Sequence, residues 1–223
     1  MKYEHGLWWP DTESHLNNPN PLSYQKSIRD FAVGLIPQHK RKLCVDVGAH
    51  VGIATIDFAS QFSEVTAFEP IQETYECLKK NVEERKLWNV SLYNSGISHE
   101  DGLMVGFIVH EGNTGYTEPV IVDVPFGPIL KPTMTLDTVL NGAKPDLIKV
   151  DVEGFEPLVV KGALKTINKC KPVIILEQKG IGFSKADPHA AVRTLIEAGY
   201  KVVGQESHDV VLAHADKFPH KGD

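Results

Sequence analysis

Two glycines and a set of strand-end carboxylates are the residues of this chain whose types and spacing could do chemistry. Asp46, Gly48 and Gly52 fall in LCVDVGAHVGIATIDFA, an apolar run that turns on its glycines and then resumes with helical spacing. Such a strand-turn-helix sets a ligand against bare backbone N–H groups. Glu69 ends VTAFEP, at about the twenty-residue distance where ribose hydroxyls are read in nucleotide-binding α/β folds. Asp151 and Glu153 close a later apolar run, and Glu177 ends VIILE. Carboxylates in those positions can accept a proton or hold a hydroxyl.

The spacing Gly48-Ala49-His50-Val51-Gly52 is G-x-x-x-G, neither G-x-G-x-x-G nor the phosphate-gripping G-K-[ST]. Dinucleotides and nucleoside triphosphates therefore lose ground. Asp46 adds a negative charge at the strand tip, which a cationic ligand welcomes and a pyrophosphate does not. S-adenosylmethionine (SAM) carries a sulfonium, an ammonium and a ribose diol, which match Asp46, the glycine backbone and Glu69. Ala49 and His50 inside the turn and Pro70 after Glu69 complete the expected cofactor-facing set. A glycine-rich turn can also serve only to let helix and strand pack closely, and for an isolated G-x-x-x-G that is the default. Glu69 at the right distance tips the balance toward a nucleoside.

These residues need elements to position them. From Leu43 onward short apolar runs alternate with amphipathic segments, the pattern of a parallel sheet with helices on both faces. Strands are expected at 43–48, 64–69, 90–95, 146–151, 172–177, 200–204 and 209–213, with helices near 52–61, 71–85, 155–167 and 188–198. Too few residues join the last two strands for a crossover, so that pair must be antiparallel. The fold class is thus α/β, a doubly wound Rossmann-like sheet with an antiparallel last strand. At about 100–132 the helical rhythm fails, and two β-rich runs joined by Gly/Asn turn residues predict a hairpin insertion.

Residues 1–40 read as an arm and a lead-in helix, and 41–223 as the domain. In the arm, Ile28, Phe31, Ala32 and Leu35 share one helical face, with Ser23 as N-cap. The arm up to about Pro21 is linker-like. Its Tyr3, Trp8 and Trp9 either stack on a ligand or anchor the arm. Thr135 and Asp137 in TLDTVL have the types of a helix cap and first-turn acid.

Composition sets the class of partner. The chain has 223 residues, 42% of them hydrophobic, and a formal net charge of −6. That gives ample core for one large domain and no drive toward nucleic acid or an anionic membrane. Cys44, Cys77 and Cys170 lack metal-ligand spacing and read as reduced thiols. The N-terminus has no apolar h-region and no run reaches transmembrane length, so a soluble, cytoplasmic protein is expected. The expected partner is a small-molecule or glycan acceptor. Oligomeric state is not set by any motif, although a hairpin at 103–124 would offer a sheet edge.

Taken with NVSLYNSGIS, TLDTVL, DLIKVDVEGFEPLVVKGA and PVIILE, the chain from about Leu43 to Glu177 resembles the FkbM-type family of SAM-dependent methyltransferases. The Asp-x-Glu-Gly-x-Glu block at 151–156 is the most specific part. The resemblance implies a class I methyltransferase fold and O-methylation, often of a sugar or polyketide hydroxyl. It places Asp46, Gly48 and Gly52 at the methionine end, Glu69 at the ribose and Asn94–Ser95 by the adenine. His50 stands where an Asn is common in the family, and Gly96 where Ala is frequent.

Transfer of a methyl group to a hydroxyl needs orientation and a proton acceptor. Asp151 and Glu153 are the first candidates for base and substrate positioning, at the sheet edge where open α/β folds bind ligands. Lys149, Asp151 and Glu153 alternate onto one strand face, where unpaired charge is costly. Lys149 is therefore expected to pair with Asp46 or Glu177. Glu177 is a second base candidate, and His208, before the last strand, an alternative that reads equally as a surface histidine. A carboxylate cluster also suits Mg²⁺, which is the minority reading. Two other functions compete: a SAM-binding domain without catalysis, which would not need the Asp151/Glu153 pair, and an NAD(P)-dependent oxidoreductase, which would need the absent G-x-G-x-x-G.

Overall fold

The computed structural model describes residues 1–14, 17–110, 112–121, 129–180 and 187–217. In chain order the elements are β1 (Lys2–Glu4), β2 (Leu7–Trp9), α1 (Lys26–Gly34), β3 (Leu43–Val47), α2 (Ile53–Ala59), β4 (Glu64–Phe68), α3 (Gln72–Glu84) and β5 (Val90–Tyr93). Four strands follow, β6 (Gly96–Ile97), β7 (Met104–His110), β8 (Asn113–Ile121) and β9 (Ile129–Met134). The chain continues through α4 (Leu136–Leu140), β10 (Leu147–Val150), α5 (Glu156–Lys161), α6 (Leu164–Cys170), β11 (Val173–Glu177), α7 (Ala190–Glu197), β12 (Tyr200–Glu206) and β13 (Asp209–His214).

The main sheet has the order β12-β13-β11-β10-β3-β4-β5. Its central pairs are parallel, while β13 runs antiparallel to both β11 and β12. The fold is the doubly wound α/β sheet with an antiparallel end that the alternating pattern predicts. β3, β10 and β11 are buried along their whole length, as expected of parallel strands covered on both faces. Val45, Val47, Ile148, Val150, Ile174 and Leu176 point one way, toward α5, α6 and α7. Cys44, Leu147, Val173 and Ile175 point the other way, toward α1 and α2. The chain leaves β3 for one side of the sheet and returns through β10 to the other, so the carboxyl ends of β3 and β10 flank the switch point.

β7 and β8 pair as an antiparallel hairpin, extended by β9 and β6 into a second, four-stranded sheet. Residues 111 and 122–128 of the expected hairpin region lie outside the described residues.

Several local expectations are corrected. The arm is not a linker: β1 and β2 form a hairpin around His5 and Gly6, both at positive φ as tight hairpin turns require. Leu7 and Trp9 are buried beside Val51 and Cys77. The buried Asn81 amide locks the arm down, accepting from Trp8 N at 2.8 Å and donating to Trp8 O at 3.0 Å and Val51 O at 2.9 Å. Lys80 lies over the Trp8 ring, 3.2 Å from its centroid.

Helix α1 starts at Lys26 after a left-handed Gln25, and Ser23 sits in a preceding 3-10 turn, so Ser23 is not the N-cap. Its buried face is Ile28, Arg29, Ala32 and Val33. Phe31 turns outward because Arg29 takes the inner position, bonded to Asp57 at 2.9 Å and to the Leu22 carbonyl at 2.9 Å. Thr135 does cap α4, accepting from Thr138 N, but Asp137 serves α6 instead, accepting from Lys165 N and Thr166 N.

The helix expected at 155–167 is broken into α5 and α6 at Gly162. There the backbone presses on Ser98: a Cβ on Gly162 would lie 2.0 Å from the Ser98 carbonyl oxygen. We expect Gly162→Ala to lower unfolding free energy by roughly 3 kcal/mol, the upper range for overpacking. Urea denaturation of the two proteins checks this.

Candidate active site

The glycine turn is shaped by what lies against it. Gly48 and Ala49 both donate to the Phe68 carbonyl, at 3.1 and 2.9 Å, folding the chain back over the end of β4. Gly48 has φ +81°, and a Cβ there would lie 1.8 Å from the backbone oxygen of Asp151. Gly52 has φ +99° and sits against Leu78. His50 also adopts a positive φ, of 50°. The turn thus runs hard against the end of β10, and a cavity of about 570 Å³ opens above both, within the usual size of ligand sites.

Glu69 lines this cavity and is bound at both oxygens: Oε2 accepts from His50 N at 3.0 Å and Oε1 from Ile71 N at 2.9 Å. Burial pushes its carboxyl up to about 7, against the pull of these two N–H groups. His50 Nε2 lies 2.9 Å from Thr114 Oγ1 on β8. Thr114 in turn donates from N and from Oγ1 to Glu13 Oε2, at 2.9 and 2.7 Å. Arm, second sheet and glycine turn therefore meet at one wall of the cavity, to which Trp9 and Tyr116 also contribute. Burial lowers the His50 ring to about 4, so it is neutral near pH 7.

Asp46 lies one layer beneath. It is fully buried, accepts from Thr55 Oγ1 at 2.6 Å and stands 3.6 Å from Lys149 Nζ. Register explains the contact, since Lys149 is directly opposite Asp46 across β10 and β3. Lys149 also reaches Asp151 at 3.3 Å. The predicted partner Asp46 is found. The other, Glu177, is held by Lys179 instead, at 2.7 Å, and Lys179 reaches Glu153 at 3.0 Å.

Asp151, Glu153 and Glu177 converge, each offering an oxygen within 4.8 Å of the others. Lys149 and Lys179 share the charge of these carboxylates. Burial opposes ionisation of Asp151, but Lys149 and then Lys179 more than offset it and hold its carboxyl below the usual range. Burial, then Asp151 and Glu153, push Glu177 up to about 9. Near neutral pH Asp151 is the anion and Glu177 keeps its proton, as adjacent carboxylates require. Burial and then Asp151 also raise Glu153.

The sequence model of the methyltransferase FkbM domain matches residues 46–202 of this chain, well over half of it. The chain belongs to the FkbM methyltransferase family. No curated protein matches it in sequence. Among solved structures, the FkbM methyltransferase of Methylobacillus flagellatus superposes with a TM-score of 0.55 at 19% identity, covering 77% of this chain and 42% of that one. The chain thus spans less than half the length of that relative. A precorrin-8W decarboxylase of Methanobacterium thermoautotrophicum gives a TM-score of 0.53 at 16% identity over 95% of this chain and 97% of that one. A Streptococcus mutans methyltransferase solved with SAH gives 0.50 at 11% identity over 84% and 94%. At these identities the likeness shows the class I methyltransferase fold, the fold in which SAM is used.

Within this FkbM domain the expected site residues divide. Gly48, Ala49, His50, Glu69, Pro70, Ser95, Asp151 and Glu153 line the cavity. Asp46, Gly52, Asn94 and Glu177 stand behind that wall. Asn94 ties the Glu69 and Pro70 carbonyls with its Nδ2, at 2.9 and 3.1 Å. His208 is exposed in the turn between β12 and β13 and does not line the cavity; its neighbour Asp209 is buried opposite Glu177.

Three cavity residues, Lys179, Glu13 and Thr114, escape a reading by motif, and Glu156 was read only as part of its motif, without a role. Lys179 shares strand parity with Glu177, and that alternation was the available signal. Glu156 ends the Asp-x-Glu-Gly-x-Glu block; its Oε1 accepts from Val152 N and Gly154 N, both at 3.1 Å, and so shapes the loop that presents Asp151 and Glu153. Glu153 takes a positive φ of 51° in that loop. Glu13 and Thr114 carry no local signal, because each acquires its place only through tertiary contact.

Proposed function

We propose that the protein is a SAM-dependent O-methyltransferase acting on a hydroxyl of a saccharide or related small molecule. The observation that carries this reading is the convergence of Gly48, Glu69 and Asp151 on one cavity. SAM fits the residues present: Glu69 retains lone pairs for a ribose diol, and the turn leaves no side chain at Gly48 to block a ligand. Ser95 and Pro70 flank the space for the base. When bound, SAM supplies an electrophilic methyl carbon.

Asp151 takes the acceptor's hydroxyl proton on its carboxylate in this scheme. Glu177, already protonated, keeps that anion from being matched by a second one at the same spot. Lys149 orients it from below. Glu153 is the second reading for the base, favoured by its raised carboxyl and its place on the cavity wall. The lining charges support this acceptor class. Arg29, Lys149 and Lys179 each pair with a carboxylate, and the lining carries four acids, Glu13, Glu69, Asp151 and Glu153, against these three cations. Hydroxyl-bearing acceptors pair well with such a wall and phosphorylated ones do not. Trp9, Tyr24 and Tyr116 supply ring faces of the kind that stack on sugars.

Calorimetric titration with SAH, with NAD as control, tests the cofactor. Micromolar binding of SAH alone supports the reading, and binding of NAD alone would replace it with the oxidoreductase. Glu69→Ala is expected to weaken SAH by about 1–3 kcal/mol. The ribose diol donates to the ionised carboxylate, so binding lowers the Glu69 pKa and releases a proton. SAH affinity should therefore rise with pH through about 7 and flatten above it. Titrations at pH 6 and 8 check this, and an unchanged affinity would remove Glu69 from the ribose.

A further inference from the structure

Thr114 has one hydroxyl proton, and the geometry says where it goes. Oγ1 stands 2.7 Å from Glu13 Oε2, the same oxygen that accepts from Thr114 N. A carboxylate can only accept, so the hydroxyl donates to it. The contact at 2.9 Å between Thr114 Oγ1 and His50 Nε2 must then run the other way, with the ring nitrogen donating. In a neutral imidazole one nitrogen donates and the other accepts, so His50 is the Nε2–H tautomer and Nδ1 bears a lone pair. Nδ1 has no hydrogen-bond partner among the described residues, nor is it one of the sealed orphan atoms of the structure, and His50 lines the cavity.

We infer that Glu13 of the arm and Thr114 of β8 are positioning residues that hold the His50 ring as a neutral acceptor for the α-ammonium of the methyl donor. The inference rests on the SAM reading of the cavity. Among the donor's groups the sulfonium forms no N–H or O–H bond, and the carboxylate would meet a lone pair and two nearby acids, Glu13 and Asp151. The ribose diol belongs with Glu69, whose Oε2 already takes the His50 N–H. The adenine amine belongs with the base, beside Ser95 and Pro70, so the ammonium is the group left that can donate to Nδ1. Three segments distant in sequence, the arm, the second sheet and the glycine turn, thereby act on one atom.

Two ligands isolate this contact: SAH, which has the amino-acid end, and 5′-methylthioadenosine, which lacks it. His50→Ala should weaken SAH about tenfold or more and leave methylthioadenosine unchanged. His50→Asn, whose amide oxygen can still accept, should recover much of the loss. Glu13→Ala frees the Thr114 hydroxyl to donate to Nε2, which permits the Nδ1–H tautomer, and should weaken SAH selectively as well. Glu13→Gln keeps an accepting oxygen and should resemble the wild type. Long-range ¹H–¹⁵N spectra of histidine-labelled protein read the tautomer directly, with Nδ1 unprotonated in the wild type at pH 7 and partly protonated in Glu13→Ala. Equal weakening of both ligands by His50→Ala, no weakening of either, or an Nδ1–H ring in the wild type would each overturn the inference. Wild-type protein that binds neither ligand would instead overturn the SAM reading on which it rests.

Discussion

Gly48→Ala should abolish SAH binding and lower the yield of folded protein. Two independent costs coincide at this position. The backbone is left-handed at φ +81°, where an L side chain adds about 1–2 kcal/mol. More severely, the new methyl would sit 1.8 Å from the Asp151 carbonyl oxygen, well inside van der Waals contact with rigid backbone. Relief requires β3 and β10 to part at their carboxyl ends, which separates the glycine turn from Asp151. Calorimetry with SAH and a thermal melt check both effects. Full binding by a well-folded Gly48→Ala protein would show that the turn and β10 are not held together as described.

The second large effect is expected at Asp151. Asp151→Asn removes the one carboxyl of the cluster held ionised by both lysines and should lower turnover by about 10²- to 10⁴-fold, the usual worth of a positioned general base. SAH affinity should change little, because the substitution preserves shape. The partner groups also respond: without the Asp151 anion one cause of the high Glu177 pKa disappears, and Lys149 loses one of its two ion-pair partners among the described residues, keeping Asp46. Comparing turnover of Asp151→Asn and Glu153→Gln under saturating donor, once an acceptor is in hand, separates the two base readings. Undiminished turnover in the first and loss in the second would assign the proton to Glu153.

What could be read from residue order was whatever depends on period and local spacing. Strands buried on both faces, such as LCVDV and VIILE, are apolar runs interrupted only by Asp46 and the terminal Glu177, and the short link between β12 and β13 forces antiparallel pairing. The glycine turn and Glu69 were legible because backbone conformation and strand ends fix their places. The parts that were not legible depend on distant partners. Arg29 displaces Phe31 from the inner face of α1 only because Asp57 and two backbone carbonyls receive it. Gly162 stands where the helix breaks, and only its missing side chain lets it approach the Ser98 carbonyl. Lys179 rather than Lys149 meets Glu177, and the pairing follows from side-chain reach at the sheet edge. Trp8 and Trp9 show a mixed outcome, since both anchor the arm while Trp9 also reaches the cavity.

The position of β10 in the sheet also governs the order in which the chain can acquire its structure. β3 is made early, yet one of its two hydrogen-bonding neighbours, β10, comes about a hundred residues later. Until Leu147–Val150 has been synthesised, Leu43–Val47 presents an unpaired edge of five residues that are all buried in the finished protein. Pairing of such distant segments is slow, because loop closure precedes any gain from contact. Fragments that stop short of β10 should aggregate rather than fold, and during translation the nascent sheet is a natural client for a chaperone until its middle strand arrives.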